Sequence, residues 1–128
     1  MTAAAGGVGI TAVQIAKALG AKVIGAVGSD DKIDVIKKYG GADYGINYSK
    51  PGWQKDVLTI TKGVGVDVVY DPVGLIKGGP ELRNFFCCWL NDKVDCIKCT
   101  AWKGRLIVVG FAGGNIEKVS SVIKPDMI

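Results

Sequence analysis

Ala3-Ala4-Ala5-Gly6-Gly7-Val8-Gly9 stands near the start of the chain, and apolar side chains then recur at Ile10, Val13, Ile15, Ala16 and Leu19 until Gly20 intervenes. Apolar residues three and four apart share one side of a helix, and a glycine after the last of them suits the left-handed position that ends one. The stretch reads as a glycine loop feeding a helix. Gly6 and Gly7 would let the backbone approach an anion with no Cβ between. Gly9 would let the helix pack closely on a sheet, and the helix start near Val8 would offer N–H groups and partial positive charge. Two readings of these residues stand: a phosphate cradle for a dinucleotide, and a tight strand-to-helix turn. Ala4 occupies the place of the first glycine of a G-x-G-x-x-G fingerprint.

Working outward, residues 22–27 form a short, mostly apolar run, and Gly28-Ser29-Asp30 supplies a turn and a helix cap. Ile33, Ile36 and Tyr39 mark one helical face that ends at Gly40-Gly41. The pattern returns with a strand over residues 44–48, a break at Lys50-Pro51-Gly52, and Trp53, Val57, Leu58 and Ile60 as the apolar face of a third helix. Residues 66–71 and 104–110 read as two further strands. Strands alternating with helices imply βαβ units, so the expected class is α/β: a Rossmann-type, doubly wound parallel sheet with helices on both faces.

At 128 residues the chain has the length of one domain, and its 48% hydrophobic content is enough for a core. Nineteen glycines without a G-X-Y period belong to turns and close approaches rather than to collagen. The net charge of +4 comes from scattered basic residues, so no nucleic-acid footprint is expected. No apolar run is long enough for a membrane span. Cys87, Cys88, Cys96 and Cys99 crowd into one short stretch, unlike the spread of a disulfide framework, which points to a reducing, cytoplasmic setting.

The ordered motifs carry a resemblance. Ala4-Ala5-Gly6-Gly7-Val8-Gly9, Val13-Gln14-Ile15-Ala16-Lys17, Gly41-Ala42-Asp43 with Ile46-Asn47-Tyr48, residues 65–74, and residues 104–111 together resemble the cofactor domain of the medium-chain dehydrogenase/reductases, in their quinone oxidoreductase (zeta-crystallin-like) branch. The match covers residues 3–77 and 95–118. It implies a nicotinamide dinucleotide as partner, with contacts at Ala5, Gly6, Gly7 and Val8, then at Val73 and Gly74, and finally at Val109, Gly110 and Phe111. Taken singly, Val73 and Val109 read as core and Phe111 as a packed aromatic.

The end of the second strand of such a fold selects the cofactor. An NAD site places an Asp or Glu there for the ribose 2′-OH, whereas this chain has Val27-Gly28-Ser29. Ser29 can donate to a 2′-phosphate, Lys32 one turn on can supply charge, and Tyr48 can reach the same place from the next strand end. The resemblance implies the same set, Gly28, Ser29, Lys32 and Tyr48, so NADP(H) is expected over NAD(H). Asp30 and Asp31 read as helix-start residues that suit the dipole.

By the family pattern, the first central strand and the catalytic substrate domain are expected to be absent from residues 1–128, leaving a partial dinucleotide-binding domain, and residues 78–94 read as an insertion, either a retained intron or a lineage-specific loop. Two sheet edges, beginning at Lys22 and Val66, would then be open and offer a route to a homo-oligomer. No catalytic residue is assigned, since the chain has no histidine. No zinc is expected either: Cys96 and Cys99 have ligand spacing but fall on a helical face, where buried thiols are the simpler reading. The expected function is that of the NADP(H)-binding domain of an enzyme that transfers hydride to a quinone or an activated alkene, with the chain alone turning over little. The alternative is a non-catalytic nucleotide- or partner-binding fragment.

Overall fold

Residues 1–72, 96 and 98–110 are described in the computed structural model of the chain. The glycine loop leads into α1 (Gly7–Ala18), whose end shows why Gly20 is a glycine. Gly20 has φ +82°, its N–H donates to the Lys17 carbonyl, and the Ala21 N–H donates to the Ala16 carbonyl, both at 2.9 Å. This paired closure requires a left-handed residue at the first position past the cap.

Strand β1 (Ile24–Val27) pairs in parallel with β2 (Tyr44–Asn47), and β3 (Val66–Asp71) pairs in parallel with β4 (Thr100–Val108). Residues 1–4 join the two pairs. The Met1 nitrogen donates to the Ile24 carbonyl at 3.1 Å, the Ala26 N–H to the Met1 carbonyl at 2.8 Å, and the Ala4 N–H to the Ala26 carbonyl at 3.0 Å. On the other side the Thr2 N–H donates to the Tyr70 carbonyl at 3.0 Å. The order across the sheet is therefore β2, β1, residues 1–4, β3, β4. No strand is assigned ahead of α1, yet residues 1–4 make ladder bonds at the place of the first central strand, bridging the edge of β1 from Ile24 to Ala26 and that of β3 at Tyr70.

Helices cover both faces, as βαβ units require. Helix α1 and α2 (Asp31–Val35) pack on one face, where Ala4, Val13, Val27 and Ile36 are buried together. Helix α3 (Trp53–Ile60) packs on the other, against Ala26, Ile46 and Val69. Glycines in the strands receive α2. A Cβ on Gly25 would lie 2.4 Å from Ile36 Cδ1, and one on Gly45 would lie 2.6 Å from Ile33 Cγ2. Ile33 of α2 and Ile36, the residue that follows it, thus seat in holes that two glycines leave in β2 and β1.

Three details differ from the sequence reading. The helical turn after α2 widens into a π-helical segment, Ile36–Gly40, and the extra residue in that turn rotates Tyr39 to 59% exposure instead of placing it with Ile33 and Ile36. Gln14 Nε2 instead donates to the Tyr39 carbonyl at 2.8 Å and holds the segment to α1. Ile15 and Leu19, read as part of the apolar face of α1, are 56% and 82% exposed, because they border a cleft between β1 and β3. Finally, the last strand starts at Thr100, not 104. Cys96 and Lys98 are helical, but residues 100–103 belong to β4, where an irregularity opposite residues 66–68 places Lys103 at φ 67°. The expected insertion at 78–94 lies outside the described residues.

One surface cluster gives a pH prediction. The Lys17 ammonium contacts both Asp43 oxygens at 2.8 and 2.9 Å, and the Val23 N–H donates to Asp43 Oδ2 at 2.6 Å. The Lys17 contact, helped by that N–H, holds the Asp43 carboxyl below the usual carboxylate range. A group depressed in this way stabilises the fold above its unfolded value, about 3.9, and loses that contribution as pH falls through the lower folded value. Asp43→Asn should therefore be less stable than the parent near neutrality. The difference should hold down to about pH 4 and shrink as pH falls further, read from urea midpoints at each pH.

Candidate functional site: the carboxyl edge of the sheet

All four strands point the same way, so their carboxyl ends and the start of α1 meet along one edge, where open α/β sheets bind ligands. The loop into α1 is shaped by its own backbone. Gly6 is extended (φ −73°, ψ 162°), its N–H donates to the Ala3 carbonyl at 3.0 Å, and the Ile10 N–H closes the first turn on the Gly6 carbonyl at 2.8 Å. A Cβ on Gly9 would stand 2.2 Å from the Ala3 carbonyl oxygen and 2.8 Å from Ala4 Cα, so the helix sits hard against the loop and only glycine fits.

Gly7 is the converse case. Nothing lies within 4 Å of a Cβ built on it, and Gly6, Gly7 and Val8 are exposed. The first turn of α1 carries no acidic side chain and no side-chain cap, so its N–H groups and the positive end of the dipole face outward with no competing anion. The residues fit a phosphate: an open glycine surface, N–H donors and no carboxylate. Ala5, half-buried beside them, packs against the cluster under α1.

The second part of the edge follows β1. Gly28 lies beneath Tyr48, whose Oη would be 3.2 Å from a Cβ on Gly28. Tyr48 is carried there by its own N–H, which extends the β1–β2 ladder by donating to the Val27 carbonyl at 3.0 Å. Ser29 is half-buried at the turn into α2, and Lys32, exposed in the first turn of α2, follows it closely, its N–H donating to the Ser29 carbonyl at 3.3 Å. Gly28, Ser29, Lys32 and Tyr48, dispersed over twenty residues of sequence, are thus brought to adjoining strand ends.

Asp30 stands at the N-cap of α2, at the helix start as read, but its side chain is turned to other partners. Its side chain makes no cap bond; Lys50 Nζ stands 2.7 Å from Oδ2 and Asn47 Nδ2 donates to Oδ1 at 3.0 Å. The Lys50 contact, with Asn47 beside it, keeps this exposed carboxyl below the usual range. Asp31 does lie in the first turn of α2, as its charge favours. The Ser49 hydroxyl donates to the Gly28 carbonyl at 2.8 Å, fixing the turn. Asn47, Ser49 and Lys50 were not singled out from sequence as parts of this edge. Their signal is the polar run Asn47-Tyr48-Ser49-Lys50, which begins at the last residue of β2.

At the far end of the edge, the Val109 N–H donates to the Asp71 carbonyl at 2.9 Å, which carries the β3–β4 pairing to the tip of β4. Val109 is exposed and Gly110 half-buried. Asp71, buried, accepts from the Thr2 hydroxyl at 2.9 Å and ties residues 1–4 to β3. Val73, Gly74 and Phe111 lie outside the described residues, as do Cys87 and Cys88. Cys96 and Cys99 are buried in the cluster beneath α3, and the Cys99 thiol donates to the Cys96 carbonyl at 3.3 Å. Among the described residues no helix is long and apolar enough to cross a membrane.

Known proteins share this arrangement. The family of zinc-binding dehydrogenases matches residues 7–78. Quinone oxidoreductase-like protein 2 of Rattus norvegicus is 37% identical over 122 residues, covering 94% of this chain and 30% of that protein. Quinone oxidoreductase of Salmonella typhimurium is 53% identical over 118 residues, covering 92% of this chain and 31% of that one. A solved quinone oxidoreductase of Pseudomonas syringae superposes with a TM-score of 0.70 at 39% identity, over 92% of this chain and 31% of its own. The chain spans about 30% of the length of these relatives. The glycine loop, the parallel strand order and these matches, running through both halves of the described sheet, place the chain in the zinc-binding dehydrogenase family of the medium-chain dehydrogenase/reductases, which are nicotinamide-dinucleotide-dependent oxidoreductases.

Proposed function

We propose that this chain is the NADP(H)-binding domain of a reductase of the quinone oxidoreductase type, in which the whole protein transfers hydride from NADPH to a quinone or an activated alkene. The observation that carries the reading is the end of β1. Gly28 and Ser29 occupy the place where a carboxylate would hold a 2′-OH, and the nearest acid, Asp30, is engaged by Lys50 and Asn47. Ser29 and the Tyr48 hydroxyl supply hydrogen bonds to a 2′-phosphate and Lys32 supplies charge.

The pyrophosphate would rest on the first turn of α1 over Gly6, Gly7 and Val8, with Ala5 packed behind. The nicotinamide half would lie past β3 and β4, against Val73, Gly74, Val109, Gly110 and Phe111. NADPH supplies the hydride; the residues of this chain orient the cofactor, and none of them is assigned an acid or base role. A zinc ion has no part in this reading, and a cytoplasmic setting fits it.

Isothermal titration tests the phosphate site. Lys32→Glu, an exposed change, should weaken NADPH binding about tenfold, the size of one charge-assisted hydrogen bond, and leave NADH affinity unaltered. A preference for NADPH that survives Lys32→Glu would refute the assignment.

A further inference from the structure

Asn47, Ser49 and Lys50, at and just past the end of β2, grip the turn after β1 on both sides of Ser29. Before it, the Ser49 hydroxyl donates to the Gly28 carbonyl at 2.8 Å. After it, Lys50 Nζ stands 2.7 Å from Asp30 Oδ2, and Asn47 Nδ2 donates to Asp30 Oδ1 at 3.0 Å. The grip is ordered from within. The Ser49 N–H donates to Asn47 Oδ1 at 2.9 Å, so the amide oxygen is taken and the amide nitrogen is the group presented to Asp30. The Lys50 N–H donates to the Asn47 carbonyl at 3.3 Å and closes the turn that returns the ammonium towards Asp30.

The side to which Asp30 is drawn governs what can sit beside Ser29. Its carboxylate lines a groove of about 340 Å³ along β2, together with Ile33, Asn47, Lys50 and Asp56, whereas Gly28, Ser29, Lys32 and Tyr48 do not border that groove. Each carboxylate oxygen has a partner on the β2 side. Released from them, an acid directly after Ser29 would act in two opposite ways. Its charge would repel a 2′-phosphate, and its oxygens would accept from a ribose 2′-OH, as the acid at this strand end does in an NAD site. Lys50 need not touch the cofactor to decide between the two. The ion pair is a surface one, with side chains 61% and 59% exposed, so it adds little to stability and its loss leaves the fold in place.

We propose that Lys50, with Asn47 beside it, is a positioning residue for cofactor choice: by holding and neutralising Asp30 on the β2 side, it keeps a free carboxylate away from the ribose and makes the site selective for a 2′-phosphate. The proposal rests on the NADP(H) reading of Gly28, Ser29, Lys32 and Tyr48 and deepens it. Selectivity then depends on a clamp outside that set.

Isothermal titration of the full chain and three variants with NADPH and with NADH tests the clamp. Lys50→Met should lower the ratio of NADPH to NADH affinity about fivefold, the effect of one charge freed near a phosphate in water, and leave the melting temperature close to the parent's. The remaining hydrogen bond from Asn47 does not balance that charge. Lys50→Arg, which keeps the positive partner, should retain the parent's ratio. Lys50→Met combined with Asp30→Asn separates the two ways in which Lys50 could act. Acting through Asp30, its loss is cancelled when that carboxylate is neutralised, and the parent's ratio returns. A ratio that stays low in the double variant would show Lys50 attracting the phosphate itself and would overturn the proposal. An unaltered ratio in Lys50→Met would overturn it too, while an NADPH preference of the parent that is lost in Lys32→Glu would leave the cofactor reading standing. A parent with no preference for NADPH would remove both.

Discussion

Gly9→Ala is expected to unfold the start of the domain and with it the cofactor edge. The new methyl would stand 2.2 Å from the Ala3 carbonyl oxygen and 2.8 Å from Ala4 Cα, and both are backbone atoms fixed by the ladder between residues 1–4 and β1. Neither can swing aside as a side-chain tip could, so the helix must move off the loop. Overpacking of this kind costs about 3 kcal/mol, a large share of the stability of a small domain. Thermal melting should show the loss, and titration with NADPH should show no heat of binding. Gly7→Ala separates stability from function at the same loop. It meets nothing within 4 Å, so the fold should hold or gain about 0.5–1 kcal/mol from the better helix former, while cofactor affinity falls because the methyl stands over the open N–H surface.

The second large effect concerns the seat of Ile36, just past α2, in β1. Ile36 is fully buried, and its Cδ1 occupies the space where Gly25 lacks a side chain. Gly25→Ala puts a carbon 2.4 Å from that atom and should cost about 1–3 kcal/mol. Ile36→Val removes the same Cδ1 and should cost about 0.5–1.5 kcal/mol by leaving a small void. Combined, the two changes exchange one methyl for another in nearly the same place. The double variant should be more stable than the sum of the single losses by about 1 kcal/mol or more in a urea cycle. Strict additivity would show that Ile36 does not fill the Gly25 hole.

What could be read in advance followed the chemistry of each signal. Gly20, Gly28 and the apolar strands were legible because a left-handed turn, a strand end and a parallel core each restrict residue type strongly. Tyr39 was not, since its position depends on a π-helical widening that places Gly40 against Val13, a tertiary contact with no local signature. Ile15 and Leu19 fitted a helical face by spacing, but spacing says nothing of what opposes them, and here it is a cleft. The start of β4 at Thr100 was hidden because its first residues pair across an irregularity rather than by alternation. Within the candidate site, Tyr48 was legible as the carboxyl end of the expected strand over 44–48. The hold of Asn47 and Lys50 on Asp30 was not, because it joins two strand ends that meet only in the folded sheet. That contact matters to the proposed cofactor reading, since it engages Asp30, the carboxylate that directly follows Ser29 in the turn after β1.

The most direct test of the cofactor assignment is isothermal titration of the unaltered chain with NADPH and with NADH under the same buffer. The arrangement of Gly28, Ser29, Lys32 and Tyr48 predicts that NADPH binds more tightly, by about tenfold, the equivalent of about 1.4 kcal/mol. Equal affinities, or tighter binding of NADH, would contradict it.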